Sequence, residues 1–196
     1  MRHVARYRIY PSLDVETRLF TAFERCTFVR NWCLENNVFR DSCLPPLKKA
    51  FPELTDVHSK VLQNVVQQIA HNLYALKRMK AKGRKVGKLR KKRLHSMIYE
   101  QSGFKFTGTR LWLSKIGEMP VELSQPVVGT IKQIVIKHTR THHWFITVIS
   151  ETPEVPEPTT GDAWVGIDLN LENFSTDTDG VVFPHPHNVR KSAKRL

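Results

Sequence analysis

The 196-residue sequence has no apolar run approaching the roughly 18 residues that a membrane-spanning helix needs, and it predicts no membrane partner. Its start, Met1-Arg2-His3-Val4-Ala5-Arg6, lacks the apolar core of a secretory signal, so a cytoplasmic protein is expected. Cysteine is scarce. Cys26, Cys33 and Cys43 are an odd number with no Cys-x-x-Cys pair, which argues against a disulfide framework and against a structural zinc site. Cys26 reads as a small buried apolar residue. The largest deficit is in acid: 18 Asp and Glu stand against 31 Lys and Arg, for a net charge of +13. A balance this basic implies a polyanionic partner, most often nucleic acid and less often a membrane surface.

What is present falls into an ordered series of patterns. Val4 to Tyr10 reads as a basic-aromatic strand ended by Pro11, which cannot donate to a ladder. Ser12 or Asp14 can then cap a helix reaching about Asn37, with Val15, Leu19, Phe23 and Cys26 as its apolar stripe. Arg18, Arg30 and Arg40 lie off that stripe and read as a solvated helix face. Leu44-Pro45-Pro46-Leu47 predicts a break, continued as a loop through Pro52. A second helix is expected from Thr55 or Asp56, because Val57, Val61, Leu62, Val65, Val66, Ile69, Leu73 and Leu76 keep helical spacing over more than five turns.

From Lys77 to Arg93, eleven of seventeen residues are basic, and no acid appears before Glu100. The cations are Lys77, Arg78, Lys80, Lys82, Arg84, Lys85, Lys88, Arg90, Lys91, Lys92 and Arg93. Gly83 and Gly87 weaken helix, so the middle predicts a flexible loop. A run this dense repels itself unless an anion lies alongside, which points to contact with a phosphate backbone. Arg6, Arg8, Lys132 and Lys137 on predicted strands join it as candidate nucleic-acid contacts.

Beyond this run the pattern turns to β. Phe104–Phe106 and Leu111–Leu113 predict a hairpin around Thr107-Gly108-Thr109, and Val127–Lys137 with Trp144–Ile149 predict another around Thr139 to His143. His142 and His143 read as exposed turn residues, since neighbours on a strand face opposite ways. The fold class expected is α+β: a small wedge-like, OB-like β-barrel from 1–11 and 100–150, interrupted by a helical insertion over 12–99. The Pro-rich, acidic stretch 151–162 reads as a linker. It leads to 163–196, where Val165, Ile167, Leu169 and Leu171 alternate with Gly166, Asp168, Asn170 and Glu172 as a buried strand would. Asp179-Gly180 predicts a hairpin turn to a second strand. An Asp in so apolar a strand is either bound to a divalent cation or set at the sheet edge facing water.

The ordered set resembles the N-terminal half of TnpB proteins, the OrfB-type family associated with insertion-sequence transposases. The residues that carry the resemblance are Tyr7-Arg8-Ile9-Tyr10-Pro11, Cys26 with Val29-Arg30-Asn31, Ser59 with Leu62-Gln63, and the basic run ending at Arg93. They continue with Leu111 to Gly117, Pro126 to Gly129, Ile131-Lys132, Trp144, and Gly166-Ile167-Asp168-Leu169. The resemblance implies a helical recognition lobe set into the barrel, followed by the first β-hairpin of an RNase H-like (RuvC) domain. It implies a guide RNA and a DNA target as partners. It also implies that Asp168 is the first of three carboxylates holding two Mg²⁺ ions for phosphodiester hydrolysis. Asn170 stands where Gly is commoner in the family. The second and third carboxylates and the family's zinc ribbon have no match within these 196 residues. Glu172 shares a strand face with Asp168, but four extended residues separate them by about 13 Å. The expectation is therefore an incomplete nuclease domain that does not cleave DNA by itself, with Mg²⁺ bound only if a separately supplied C-terminal fragment completes the site. A non-cleaving RNA- or DNA-binding protein and a decayed transposase remnant are the alternatives.

Overall fold

The computed structural model describes residues 1–100, 102–152, 165–170 and 172–187. It is an α+β structure that divides into two compact units, Met1–Glu154 and Val155–Leu196. Among the described residues no helix is long and apolar enough to cross a membrane.

In the first unit, β1 (Arg2–Ile9) turns Tyr7 and Ile9 into the core and leaves Arg6 on the outer face. Helix α1 (Leu13–Asn36) follows, with Ser12 at its N-cap position; the Ser12 side chain makes no capping hydrogen bond, and its carbonyl accepts the first helical bond from the Glu16 amide at 2.8 Å. Asp14 and Glu16 in its first turn suit the positive end of the helix dipole. The expected stripe of Val15, Leu19, Phe23 and Cys26 is buried, together with Ala22, Val29 and Cys33. Burial pushes the Cys26 and Cys33 thiols up to about 12, so both stay protonated as small apolar groups.

The Leu44-Pro45-Pro46-Leu47 break is instead a short helix, α2 (Leu44–Ala50), with Pro at its first positions. Proline is tolerated there because the first helical amides have no intrahelical partner to lose. Helix α3 (Ser59–Ala81) starts after a 3-10 segment at Pro52–Asp56 and buries Val61, Leu62, Val65, Val66 and Ile69.

Six further strands complete this unit: β2 (Ser96–Glu100), β3 (Phe104–Phe106), β4 (Arg110–Leu113), β5 (Gly117–Glu122), β6 (Thr130–His138) and β7 (Trp144–Glu151). The β3–β4 and β6–β7 hairpins stand where the sequence placed them. Strands β2 and β5 were not expected. Pro120 obscures β5, although Met119 and Val121 point inward and Glu118 and Glu122 outward. The seven strands form one sheet in the order β2-β6-β7-β1-β5-β4-β3. Its two edge strands are joined by only three residues, so the sheet must curl until its edges approach, giving a nearly closed, barrel-like form. The barrel core of Tyr7, Leu111, Leu113, Ile134, Ile136, Ile146 and Val148 is continuous with the buried faces of the helices. Phe23 of α1 stacks on Trp144 at 5.6 Å between ring centroids, and the Trp144 indole donates to Glu16 Oε1 at 2.8 Å.

The second unit contains β8 (Ile167–Asp168), β9 (Asn173–Asp177) and β10 (Val182–Pro184), in the order β10-β9-β8. Gly180, at φ +81°, makes the β9–β10 turn, and Asp177 Oδ1 accepts from the Asp179 and Val181 amides. The buried strand expected here is corrected. Among the described residues β8 has two residues and pairs only with β9, at the edge of the sheet; Ile167 is 66% exposed and Leu169, just beyond the strand, 70%. Alternation of apolar residues describes a strand but does not supply the layer that would cover it. Most of the linker, together with Ala163, Trp164, Leu171 and the basic end from Arg190, lies outside the described residues.

Candidate nucleic-acid interface

The basic run takes three forms. Lys77, Arg78 and Lys80 belong to the end of α3 and are exposed, so the basic segment 77–93 begins as helix and the loop is confined to its later part. Helix persists there because Lys, Arg, Met and Ala are good helix formers, and the first glycine is Gly83. Gly83 then adopts φ +74°, and Lys82, Arg84, Lys85, Lys88 and Arg90 follow on exposed, irregular backbone. The last part is tied down on α1. The Lys92 amide donates to Asn31 Oδ1 at 3.1 Å and the Leu94 amide to Thr27 Oγ1 at 2.9 Å.

Two cations in this last part already have carboxylate partners on α1: Lys91 with Glu35 at 3.0 Å and Arg93 with Glu24 at 3.6 Å. Both pairs are exposed, so each contributes little stability and can exchange its carboxylate for a phosphate. Lys88, Arg90 and Lys92 have no ion-pair partner among the described residues.

The strand cations divide. Lys137, Phe145 and Arg8 are cross-strand neighbours in one row over β6, β7 and β1. Arg6 lies over the Phe145 ring at 3.9 Å, and Arg8 contacts His143 Nδ1 at 3.1 Å. A guanidinium on an aromatic face keeps most of its donors free, so this row is a cationic surface with an aromatic base. Lys132 stands apart, 3.8 Å from Glu151 at the far end of β6. His142 and His143 are exposed in the β6–β7 turn, with His142 at φ +57°.

Of the three helix arginines read as solvated, Arg18 and Arg40 are exposed, but Arg30 is 5% exposed. Its Nε has no hydrogen-bond partner among the described residues, and burial lowers its pKa. It lies one position from Val29 on the buried side of α1, where the stripe is wider than the four residues that defined it.

A feature the sequence reading passed over is a groove of about 580 Å³ between α1, the segment before β2 and the β6–β7 turn. Phe20, Phe23 and His138 line it together with Arg93, Lys137 and Arg140. The signal for it was the interleaving of basic and aromatic residues in His138-Thr139-Arg140-Thr141-His142-His143-Trp144.

Asp168 is exposed, and among the described residues no three His, Cys, Asp or Glu side chains come together as a metal site. One exposed carboxylate does not fit a two-Mg²⁺ centre, since Mg²⁺ relies on further carboxylates or phosphates. No hydrolytic step is derived from it.

No protein-family model matches the chain. It is similar to a protein of Escherichia coli (strain K12) named "Putative RNA-guided DNA endonuclease InsQ". The two are 30% identical over 89 residues, which are 45% of this chain and 22% of that protein. The match supports the TnpB resemblance drawn from the motifs. The chain spans about a fifth of the length of the curated relative it matches.

Proposed function

We propose that this chain is a transposon-encoded, TnpB-like nucleic-acid-binding protein whose partners are a guide RNA and the DNA that RNA selects. The observation that carries this reading is the continuous cationic path from the end of α3 through Lys88, Arg90 and Lys92 to Arg93 and Lys137. Among the described residues, Lys91 and Arg93 alone in this path are paired with carboxylates, and those pairs are solvent-exposed. Phosphate contacts of this kind supply affinity and position without reading sequence, which suits a protein whose specificity comes from a paired RNA. The similarity to a protein named as an RNA-guided DNA endonuclease supports the same partners.

Within this reading the barrel, 1–11 and 100–150, serves as the wedge, 12–99 as the recognition insertion, and 163–196 as the start of a RuvC-like domain. Asp168 is then the first ligand of a Mg²⁺ site whose other carboxylates come from outside these 196 residues. The polypeptide by itself binds nucleic acid and does not cleave it.

The test is RNA co-purification and salt-dependent binding. Wild type is expected to carry RNA from the expression host. Lys88→Gln, Arg90→Gln and Lys92→Gln together should lower affinity for single-stranded RNA and reduce the slope of log K against log salt by about 2, at roughly 0.7 per phosphate neutralised. Unchanged affinity at physiological salt would remove the basic segment from the interface. Mg²⁺-dependent DNA cleavage by the purified chain, abolished by Asp168→Ala, would overturn the assignment as non-cleaving.

A further inference from the structure

We infer that the groove between α1 and the β6–β7 turn is a pocket for one unpaired nucleobase of a single-stranded nucleic acid, with the flanking phosphates held by Arg93, Lys137 and Arg140. This inference rests on the nucleic-acid reading above and deepens it, because it assigns a base-binding site to a protein whose other contacts are to phosphate.

Three observations meet here. The first is size: about 580 Å³ falls within the roughly 300–1,000 Å³ of ligand pockets and exceeds what a single side chain fills. The second is an aromatic wall. His138 lies edge-on to Phe20 at 5.0 Å between centroids and tilted over Trp144 at 4.5 Å, and Phe20 meets Trp144 at 5.2 Å. The lining rings Phe20 and His138 are fixed by the core: Trp144, which packs against both but does not itself line the groove, is 4% exposed and held by Glu16, so the wall is preorganised rather than assembled on binding. The third is an unused polar atom. His138 Nε2 is buried and has no hydrogen-bond partner among the described residues. Burial holds this imidazole below its ordinary pKa, reinforced by His142 and partly opposed by Glu16, so near neutral pH it is uncharged and can exchange a hydrogen bond with a base edge.

The rim matches the chemistry of a nucleotide. Arg93 belongs to the pinned end of the basic segment, while Lys137 and Arg140 stand on either side of His138 in the chain and also line the groove. A strand tracking Lys88, Arg90 and Lys92 would reach Arg93 at the mouth of the groove. An apolar protein segment could use the rings but not the surrounding cations. A duplex could use the cations but could not offer a base to the rings without unpairing it.

The experiment uses the full 196-residue chain with a labelled 12-nucleotide single-stranded RNA, an abasic strand of the same length, and the corresponding DNA strand. Stacking a base on such a wall should make the base-bearing RNA or DNA bind about 5–100-fold tighter than the abasic strand. His138→Ala should abolish that ratio and leave the salt slope unchanged. The Lys88, Arg90, Lys92 triple variant should weaken both strands and keep the ratio. In the wild type, a photo-crosslinking 4-thiouridine strand should attach to Phe20, Phe23 or His138, a readout independent of any variant's folding. Equal binding of base-bearing and abasic strands, or crosslinks confined to residues 77–92, would overturn the pocket while leaving nucleic-acid binding intact. Failure of every strand to bind would overturn the nucleic-acid reading itself.

Discussion

Gly129 sits at φ +84° between the β5–β6 connection and β6, and a Cβ there would stand 2.5 Å from the Glu151 carbonyl oxygen. Both the backbone conformation and the close approach of β7 therefore exclude a side chain. Gly129→Ala should cost about 1–3 kcal/mol from the left-handed backbone alone, with the clash added, and should lower the melting temperature by several degrees in calorimetry. The sequence marked Pro126 to Gly129 as part of the family resemblance but could not say why Gly was needed. That reason lies some 22 residues along the chain, at the end of β7. Arg30 teaches the same lesson. Its place beside a four-residue stripe suggested solvent, and only the packing around α1 showed that the buried face extends to it.

At the scale of elements, the hydrophobic periodicity of α1 and α3 predicted both helices and the centre of each buried face, because a stripe at 3.6-residue spacing must be covered by something. The basic run was legible as a dense cationic segment, yet its internal division was not. Its last residues are ordered by two side chains of α1, Thr27 and Asn31, more than sixty positions earlier. Replacing both, Thr27→Val with Asn31→Ala, should release this end of the segment. Hydrogen exchange at the Lys92 and Leu94 amides is expected to quicken by about 5-fold or more, since each lost hydrogen bond contributes roughly 1 kcal/mol. Circular dichroism should show α1 intact. Unchanged exchange would mean that Lys91–Glu35 and Arg93–Glu24, rather than the amide contacts, hold the segment.

For the whole molecule, the buried apolar cluster runs from Tyr7 to Val148 and lies entirely within the first compact unit. A fragment ending at Glu154 should therefore fold cooperatively and keep the RNA affinity of the full chain within about 3-fold, as read by thermal melting and by filter binding. A fragment that failed to melt cooperatively would show that the second unit is needed for the first to fold. Asp168→Ala in the full chain should leave RNA affinity unchanged, because the cationic path and the groove both belong to the first unit.

Charge, helical periodicity and turn chemistry were determined by the sequence alone. The +13 balance pointed to a polyanion, two apolar stripes demanded helices, and Asp179-Gly180 demanded a turn, which Gly180 makes at positive φ. Each follows from forces acting within a few residues or from a simple sum of charges. Tertiary structure alone decided that β1 lies between β7 and β5, that β2 and β3 curl toward each other, and that Phe20, His138 and Arg93 line one groove with Trp144 packed against its rings. Those juxtapositions depend on which distant strands exchange hydrogen bonds, and that choice is made by the burial of the whole core rather than by any local pattern.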